Sequence, residues 1–351
     1  MRTTKPLATV LALSLLVAAC GDGDAAPADT TAPTELTLVT HDSFLVSDGI
    51  LEAFTEETGI VVDHVTAGDA GTLVNQAILT KDNPIADVIF GVDNTFLSRA
   101  IEEGIFQPHR AAAIDSVSEL IRVQDDLATP VDYGDVCLNY DIAALEELGI
   151  EPPTTLLDLI DETYRGLLVV QDPATSSPGL AFLLATIAAF PDGGDLDWTD
   201  YWRELFANDV SVAPDWSAAY YEQFTRAGGD RPLVVSYASS PPAEVLFGEL
   251  EEPPTGVMVD GCFRQIEFAG VLKGTEHQDT AGELVDFLLS IEVQEDIPLN
   301  MFVYPTNSGA TLPEVFAQHT TFPDAPVIME PGTIARNRDA WIEQWTAIAR
   351  S

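Results

Sequence analysis

The chain reads as an α/β protein of two lobes with a ligand cleft between them, and three observations carry that reading. Strands and helices alternate at short spacing along both halves of the sequence, the pattern of mostly parallel sheets. Two long strand-like stretches, 131–141 (VDYGDVCLNYD) and 261–271 (GCFRQIEFAGV), carry the chain out of a first α/β region and back into it. The roughly three hundred residues between the leader and the C-terminus are enough for two lobes of ordinary domain size.

Taken in order, Glu35–His41 alternates as a strand and ends at Asp42-Ser43-Phe44, with a helix following to Thr58 and stopped by Gly59. Glycine is a common residue just past a helix end because it tolerates the left-handed backbone. Ile60–Val65 is the next strand, Asp69 opens a helix at 70–79, and Ala86–Phe90 is a third strand ending in Gly91-Val92-Asp93-Asn94. The middle region repeats the alternation, with strands near 167–170, 209–212 and 233–236 and helices near 178–190, 197–207, 216–227 and 240–249. Helices near 280–297 and 334–349 close the chain. The boundaries expected from this are a first lobe built from 35–136 plus 263–351 and a second lobe of 137–262.

The most informative segment is Gln171 to Leu180, QDPATSSPGL. A hydrophobic run ends in Asp-Pro, and Thr175, Ser176 and Ser177 precede Pro178 at the start of an apolar helical pattern. Ser at the N-cap with Pro in the first turn is how many helices begin. Free amides at such a start, just beyond a strand, suit a phosphate or another anion. Tyr237 to Pro241 (YASSP) repeats the Ser-Ser-Pro start and brings Ser240 to the same kind of place. Ligands in open α/β sheets sit beyond the carboxyl ends of the strands. That rule collects His41, Asp42, Ser43, Asp69, Asp93, Ser176, Ser177, Tyr237 and Ser240, with three acidic strand ends facing two hydroxyl-rich helix starts. A ligand with a cationic part and an anionic or hydroxyl end fits such a pairing.

The ends and the composition bound the setting. Residues 1–19 carry Arg2 and Lys5, a short apolar core and Val17-Ala18-Ala19, the layout of a secretory signal. Cys20 directly after Ala-Ala looks like a lipobox cysteine, lipidated after cleavage, and 20–34 reads as a disordered tether rich in Ala, Pro, Asp and Thr. The expected location is the outer face of the cytoplasmic membrane, held by the lipid anchor alone. Fifteen Lys plus Arg stand against 57 Asp plus Glu, a formal charge of −42. Nucleic acid is thereby excluded as a partner, since duplex binding rests on Lys and Arg neutralising phosphates. Beyond Cys20 two cysteines remain, Cys137 and Cys262, and an even pair in an exported chain suggests a disulfide, with two buried thiols as the alternative.

No GxSxG, HExxH, GxGxxG, Walker A or EF-hand pattern occurs, and the five histidines have no metal-ligand spacing. Neither a catalytic set, a cofactor nor a resident metal is called for, and a monomer is expected. Trp198, Trp202 and Leu205, like Trp341, Trp345 and Ile348, fall at helical spacing and read as core stripes. Trp216 differs: it follows a strand directly, at a helix start, where with Tyr237 it offers a flat face to a cationic heteroaromatic ring. Tyr220-Tyr221 opens a rival reading as a ferric-iron site, because paired tyrosinates bind that hard metal. A hydrolase using Ser176 or Ser177 lacks a base at motif spacing.

HDSF (41–44), ADVIFGVDN (86–94), PVDYG (130–134), QDPATSSPGL (171–180), DWSAAY (215–220), VVSYASSP (234–241), QIE (265–267) and VYPTN (303–307) occur in an order that resembles the thiamine-binding proteins of bacterial ABC importers. These belong to a two-lobed class that also holds ferric-iron, spermidine and sulfate binders. The resemblance implies a type II periplasmic-binding fold. It implies capture of thiamine or its phosphate esters by lobe closure, and delivery to an ABC permease with a separate ATPase. By matching position it places Asp42, Ser43, Asp69 and Asp93 on one side of the cleft. Ser176, Ser177 and Trp216 would stand at the hydroxyethyl or phosphate end, with Tyr237 and Ser240 beside them. This chain has His41, Phe302 and Ala243 where enteric members carry Tyr, Trp and Tyr, so His41 and Phe302 stand where ligand-stacking rings are expected.

Overall fold

The structure, a computed structural model, describes residues 35–351, so the signal segment, Cys20 and the tether lie outside the described residues. One ten-stranded mixed sheet runs through both halves of this region, with helices packed around it. Its strands are β1 Glu35–Thr40, β2 Val61–Thr66, β3 Val88–Asp93, β4 Phe106–Gln107, β5 Thr129–Asp141, β6 Leu168–Gln171, β7 Ser211–Ala213, β8 Leu233–Tyr237, β9 Thr255–Leu272 and β10 Tyr304–Pro305. The spatial order is β2-β1-β3-β9-β5-β8-β6-β7, with β4 on β9 and β10 on β5. β1 pairs in parallel with β2 and β3, and β6 pairs in parallel with β7 and β8. Between these two parallel groups lies the antiparallel pair of long strands β5 and β9.

That pair forms the middle of the sheet. The register of β5 on β9 breaks between Val136 and Leu138, where Val136 faces Phe263 but Leu138 faces Met258. The surplus residues on β9 form a bulge, and Gly261 takes a left-handed φ of 72° there, which a β-carbon would strain. Cys137 and Cys262 are joined by a disulfide across this break, with Cα atoms 4.4 Å apart.

Strand composition follows burial. Val88, Ile89 and Phe90 of β3 are all sealed from solvent, as parallel strands covered on both faces require. The helix Ser177–Ala189 (SPGLAFLLATIAA) is apolar nearly all round and is buried over its first ten residues, the environment such a helix needs. The helix Trp198–Ala207 buries Trp198, Tyr201, Trp202 and Leu205 along one stripe, and Trp345 of the C-terminal helix Pro331–Ala349 meets Trp202 edge-on at 5.5 Å.

Three local expectations are corrected. The helix after HDSF begins only at Ile50, because turns at Asp42-Ser43 and Asp48-Gly49, with irregular chain between them, precede it. The stretch 280–297 is two helices, Gln278–Leu288 and Ile291–Asn300; Ser290 restarts the chain by accepting a hydrogen bond from the Val293 amide. The segment after Trp216 has a short α turn, Trp216–Ala218, that widens into a π-helical turn at Ala219–Gln223. Such wide turns recur at functional sites because they redirect side chains that a regular helix would space evenly.

Candidate functional site

A cavity of about 720 Å³ opens between the two halves of the sheet, at the ends of β1 and β8 and beside Gln265 and Glu267 of β9. Clefts of this size bury drug-sized ligands. His41, Asp42, Ser43, Asp69, Ser177, Trp216, Tyr237, Ser240 and Phe302 all line it. Ser176 and Asp93 do not; both are fully buried behind its wall.

Asp69 accepts a hydrogen bond from the Ala70 amide at 2.7 Å and so caps the helix Ala70–Leu79. Burial raises its pKa to about 6, partly offset by the hydrogen bonds it accepts. The neighbouring Gly71 lets this helix start press against the QDPATSSPGL turn, since a β-carbon there would come within 2.9 Å of the Thr175 carbonyl oxygen. Ser177 donates its hydroxyl to Asp93 Oδ2, tying the first Ser-Pro helix start to the end of β3. Ser176 occupies the N-cap position, but its hydroxyl makes no capping bond; it lies toward Asp69 instead and helps hold that acid's pKa down.

One wall is a polar relay. His41 Nδ1 accepts from the Ser43 amide at 3.1 Å, which leaves Nε2 to donate toward Glu267 Oε2 at 3.3 Å. Glu267 Oε1 accepts from Gln265 Nε2 at 3.1 Å, and Gln265 Oε1 accepts from the Tyr237 hydroxyl at 3.2 Å. Gly134, in the PVDYG stretch, makes room for this: a β-carbon there would sit 2.8 Å from the Tyr237 ring. Burial above all, and then the charges of Glu267 and Asp69, hold the Tyr237 phenol well above its ordinary pKa, so it stays a donor.

Another part of the lining is aromatic. Trp216 stacks on Tyr220 at 5.0 Å with rings 18° apart, and its Nε1 donates to Ser236 Oγ at 3.0 Å. Ser236 in turn shares a 2.9 Å hydrogen bond with Ser240. Tyr220 donates to Glu244 Oε1 at 2.8 Å, and Arg226 lies 3.6 Å from the other oxygen of the same carboxylate. At the mouth Phe302 meets Phe247 edge-on, with ring centroids 5.0 Å apart. Phe302 holds a left-handed φ of 60°, an outlier for a bulky residue and the kind of strain that gathers at ligand clamps.

The chemistry of this lining is that of capture. Asp42, Asp69, Glu244 and Glu267 outnumber Arg226 and His41, so the cavity favours a cation, while Trp216 and Tyr220 give it an aromatic face. Ser177 is committed to a buried carboxylate and His41 Nε2 to Glu267, so neither has the nucleophile–base pairing of a hydrolase. Glu267, Gln265, Glu244, Phe247 and Arg226 were not singled out from the sequence as site residues. The signal for Glu267 and Gln265 was the QIE stretch in the long return strand; Phe247 and Arg226 carried none.

This fold and cleft are those of a solute-binding protein. The chain belongs to the family described as bacterial extracellular solute-binding proteins, which residues 83–324 match. It is 30% identical over 314 residues to the thiamine-binding periplasmic protein of Escherichia coli (strain K12), covering 88% of this chain and 92% of that one. A solved structure titled periplasmic thiamin binding protein superposes with a TM-score of 0.80 at 28% identity, over 90% of this chain and 96% of that one. Iron-bound HitA from Pseudomonas aeruginosa shares the two-lobed fold at a TM-score of 0.71 and 21% identity, over 89% and 99% of the two chains. The resemblance to thiamine-binding periplasmic proteins therefore extends over most of the chain, within a fold that also serves iron.

Proposed function

We propose that this protein is the extracytoplasmic receptor of an ABC importer that captures thiamine or a thiamine phosphate ester and presents it to the permease and its ATPase. The observation that carries the reading is that one cavity is lined both by the Trp216–Tyr220 stack and by the carboxylates of Asp69 and Glu267. Thiamine pairs a cationic thiazolium with a flat pyrimidine, and both demands are met by such walls. Ser177, Ser240 and the helix starts they belong to would take the hydroxyethyl or phosphate end. Asp93 and Ser176 support this wall from behind. The lobes divide at 136/137 and 262/263, where β5 and β9 cross, and close on the ligand about that hinge. Cys20 anchors the chain through lipid, and the protein works as a monomer.

Thermal denaturation with added ligand tests the reading. A ligand at a hundred times its dissociation constant stabilises the protein by about 2.7 kcal/mol, so thiamine or its monophosphate raises the melting temperature. A melting curve unmoved by thiamine and by both phosphate esters rejects it.

The ferric-iron reading has Tyr220 and Tyr221 in the cavity in its favour. Against it, Tyr220 is spent on Glu244, and burial, then the charge of Glu244, hold its phenol well above the ordinary range, away from tyrosinate. A coloured complex on adding ferric ion would revive it.

A further inference from the structure

Asp93, Glu267 and Asp132 stand in one register across three adjacent strands. Asp93 of β3 faces Glu267 of β9, and Glu267 faces Asp132 of β5. Like charges directly opposite one another destabilise a sheet, yet all three are buried, Asp93 and Asp132 completely. Glu267 alone reaches the cavity. Asp132 lies behind it, no N–H or hydroxyl donor of the described residues reaches either of its carboxyl oxygens, and its only partner there is the Glu267 carboxyl, with which it can share a proton. A buried carboxylate so placed is far costlier than the neutral acid.

We infer that Glu267 is the counter-charge that selects a cationic ligand, and that the rung beneath it, Asp132 above all, gives up a proton to solvent when that cation arrives. This rests on the proposed thiamine reading and adds to it a ligand–proton exchange. Carboxyls that share a site cannot all ionise, so one is held as the acid. Burial, then the charge of Glu267, raises Asp132 well above the usual carboxylate range, and the same two causes raise Asp93 against its hydrogen bonds to Ser177 and Thr95. A fixed positive charge beside Glu267 reverses that balance. The other groups facing the rung are His41 from the end of β1, Asp69 from its helix start and Tyr237 from β8, with Gln265 as a neutral neighbour. At His41, burial lowers the imidazole pKa and Glu267, Asp69 and Asp42 raise it by more.

Calorimetric titration of the protein with thiamine, in two buffers of different ionisation enthalpy, reads the protons released. Release is expected, with affinity weakening up to about tenfold per pH unit on acidification, the slope for one proton. Asp132→Asn mimics the protonated acid: thiamine still binds, while proton release and the pH slope diminish. Glu267→Gln lowers affinity at least about tenfold, the loss of one counter-charge. His41→Gln keeps the release. Thiamine binding with no buffer-dependent heat and a flat pH profile overturns the exchange alone, as does release that vanishes in His41→Gln and persists in Asp132→Asn. No binding heat at any pH overturns the thiamine reading and this inference with it.

Discussion

The hydroxyl of Ser177, at the start of the helix Ser177–Ala189, donates to the buried carboxylate of Asp93 at the end of β3. This bond joins the two parallel groups of strands without passing through the β5–β9 pair. Ser177→Ala removes a donor from a fully buried acid, and leaving such an acceptor unpaired costs about 1–3 kcal/mol. A lower urea midpoint with an unchanged slope is the expected result. A midpoint equal to that of the native protein would show that the bond contributes nothing to the stability of the fold.

Trp216 lines the cavity, stacks on Tyr220 and hydrogen-bonds Ser236 from its edge. Trp216→Ala is expected to weaken thiamine binding by about 1–3 kcal/mol, the range for stacking plus a cation over an aromatic face. Trp216→Phe keeps a face and loses the indole bond, so its affinity falls between the two. Equal affinities for all three proteins by titration calorimetry would remove Trp216 from the site.

Asp69 makes the empty protein pH-sensitive. Its folded pKa, raised to about 6 mainly by burial, lies above the unfolded value of 3.8. Between those values the folded state binds the proton more tightly, so stability falls as pH rises through the window and the cost is complete above about pH 6. Asp69 is only partly shielded in the cavity wall, so the cost is roughly 1–3 kcal/mol. Asp69→Asn therefore flattens the stability profile between about pH 4 and 6 and weakens binding of a cationic ligand. An unchanged denaturation profile over that range contradicts the assignment.

Phe247, largely exposed, meets Phe302 at the mouth. Truncating it in Phe247→Ala opens the exit more than it alters the polar walls. Ligand dissociation, followed through tryptophan fluorescence by stopped flow, is expected to speed up about 3- to 10-fold, the loss of one aromatic pair, with association little changed. An unaltered dissociation rate removes the mouth contact from the mechanism.

The Cys137–Cys262 bridge spans 125 residues of sequence. On the chain-entropy estimate a loop of this length is worth about 4–5 kcal/mol. The Cys137→Ser, Cys262→Ser double variant is expected to lose stability of that order in chemical denaturation. A loss below about 1 kcal/mol would mean that the bulge of β9 is held by its hydrogen bonds alone.

Much of the architecture was legible because its causes are local. The run Val88, Ile89, Phe90 is apolar as a covered strand must be, and Asp69 before Ala70 is a capping residue read in one glance. The walls of the cavity were legible where a strand end and a helix start coincide, as at Asp42, Asp69, Ser177 and Ser240, all of which the structure brings to one cavity. The break at Ser290 and the late start at Ile50 were missed because the apolar pattern runs on through them, and a single side-chain cap or turn decides the outcome. The wide turn after Trp216 was missed for the same reason.

What the sequence determined by itself is the alternation of elements, the two strands that cross between halves, and the set of strand ends from which a ligand is approached. Each depends on neighbours within a few residues, through propensity, capping and period. What only the tertiary structure decided is which of those ends touch. Asp93, Glu267 and Asp132 come from strands 39 to 174 residues apart in the chain, and nothing near any one of them announces the other two. Their meeting is set by the register of β9 between β3 and β5, a matter of long-range hydrogen-bond pairing and a bulge. Asp93, read from sequence as a cleft residue, proves to sit behind the wall because that register turns its carboxylate inward toward Ser177.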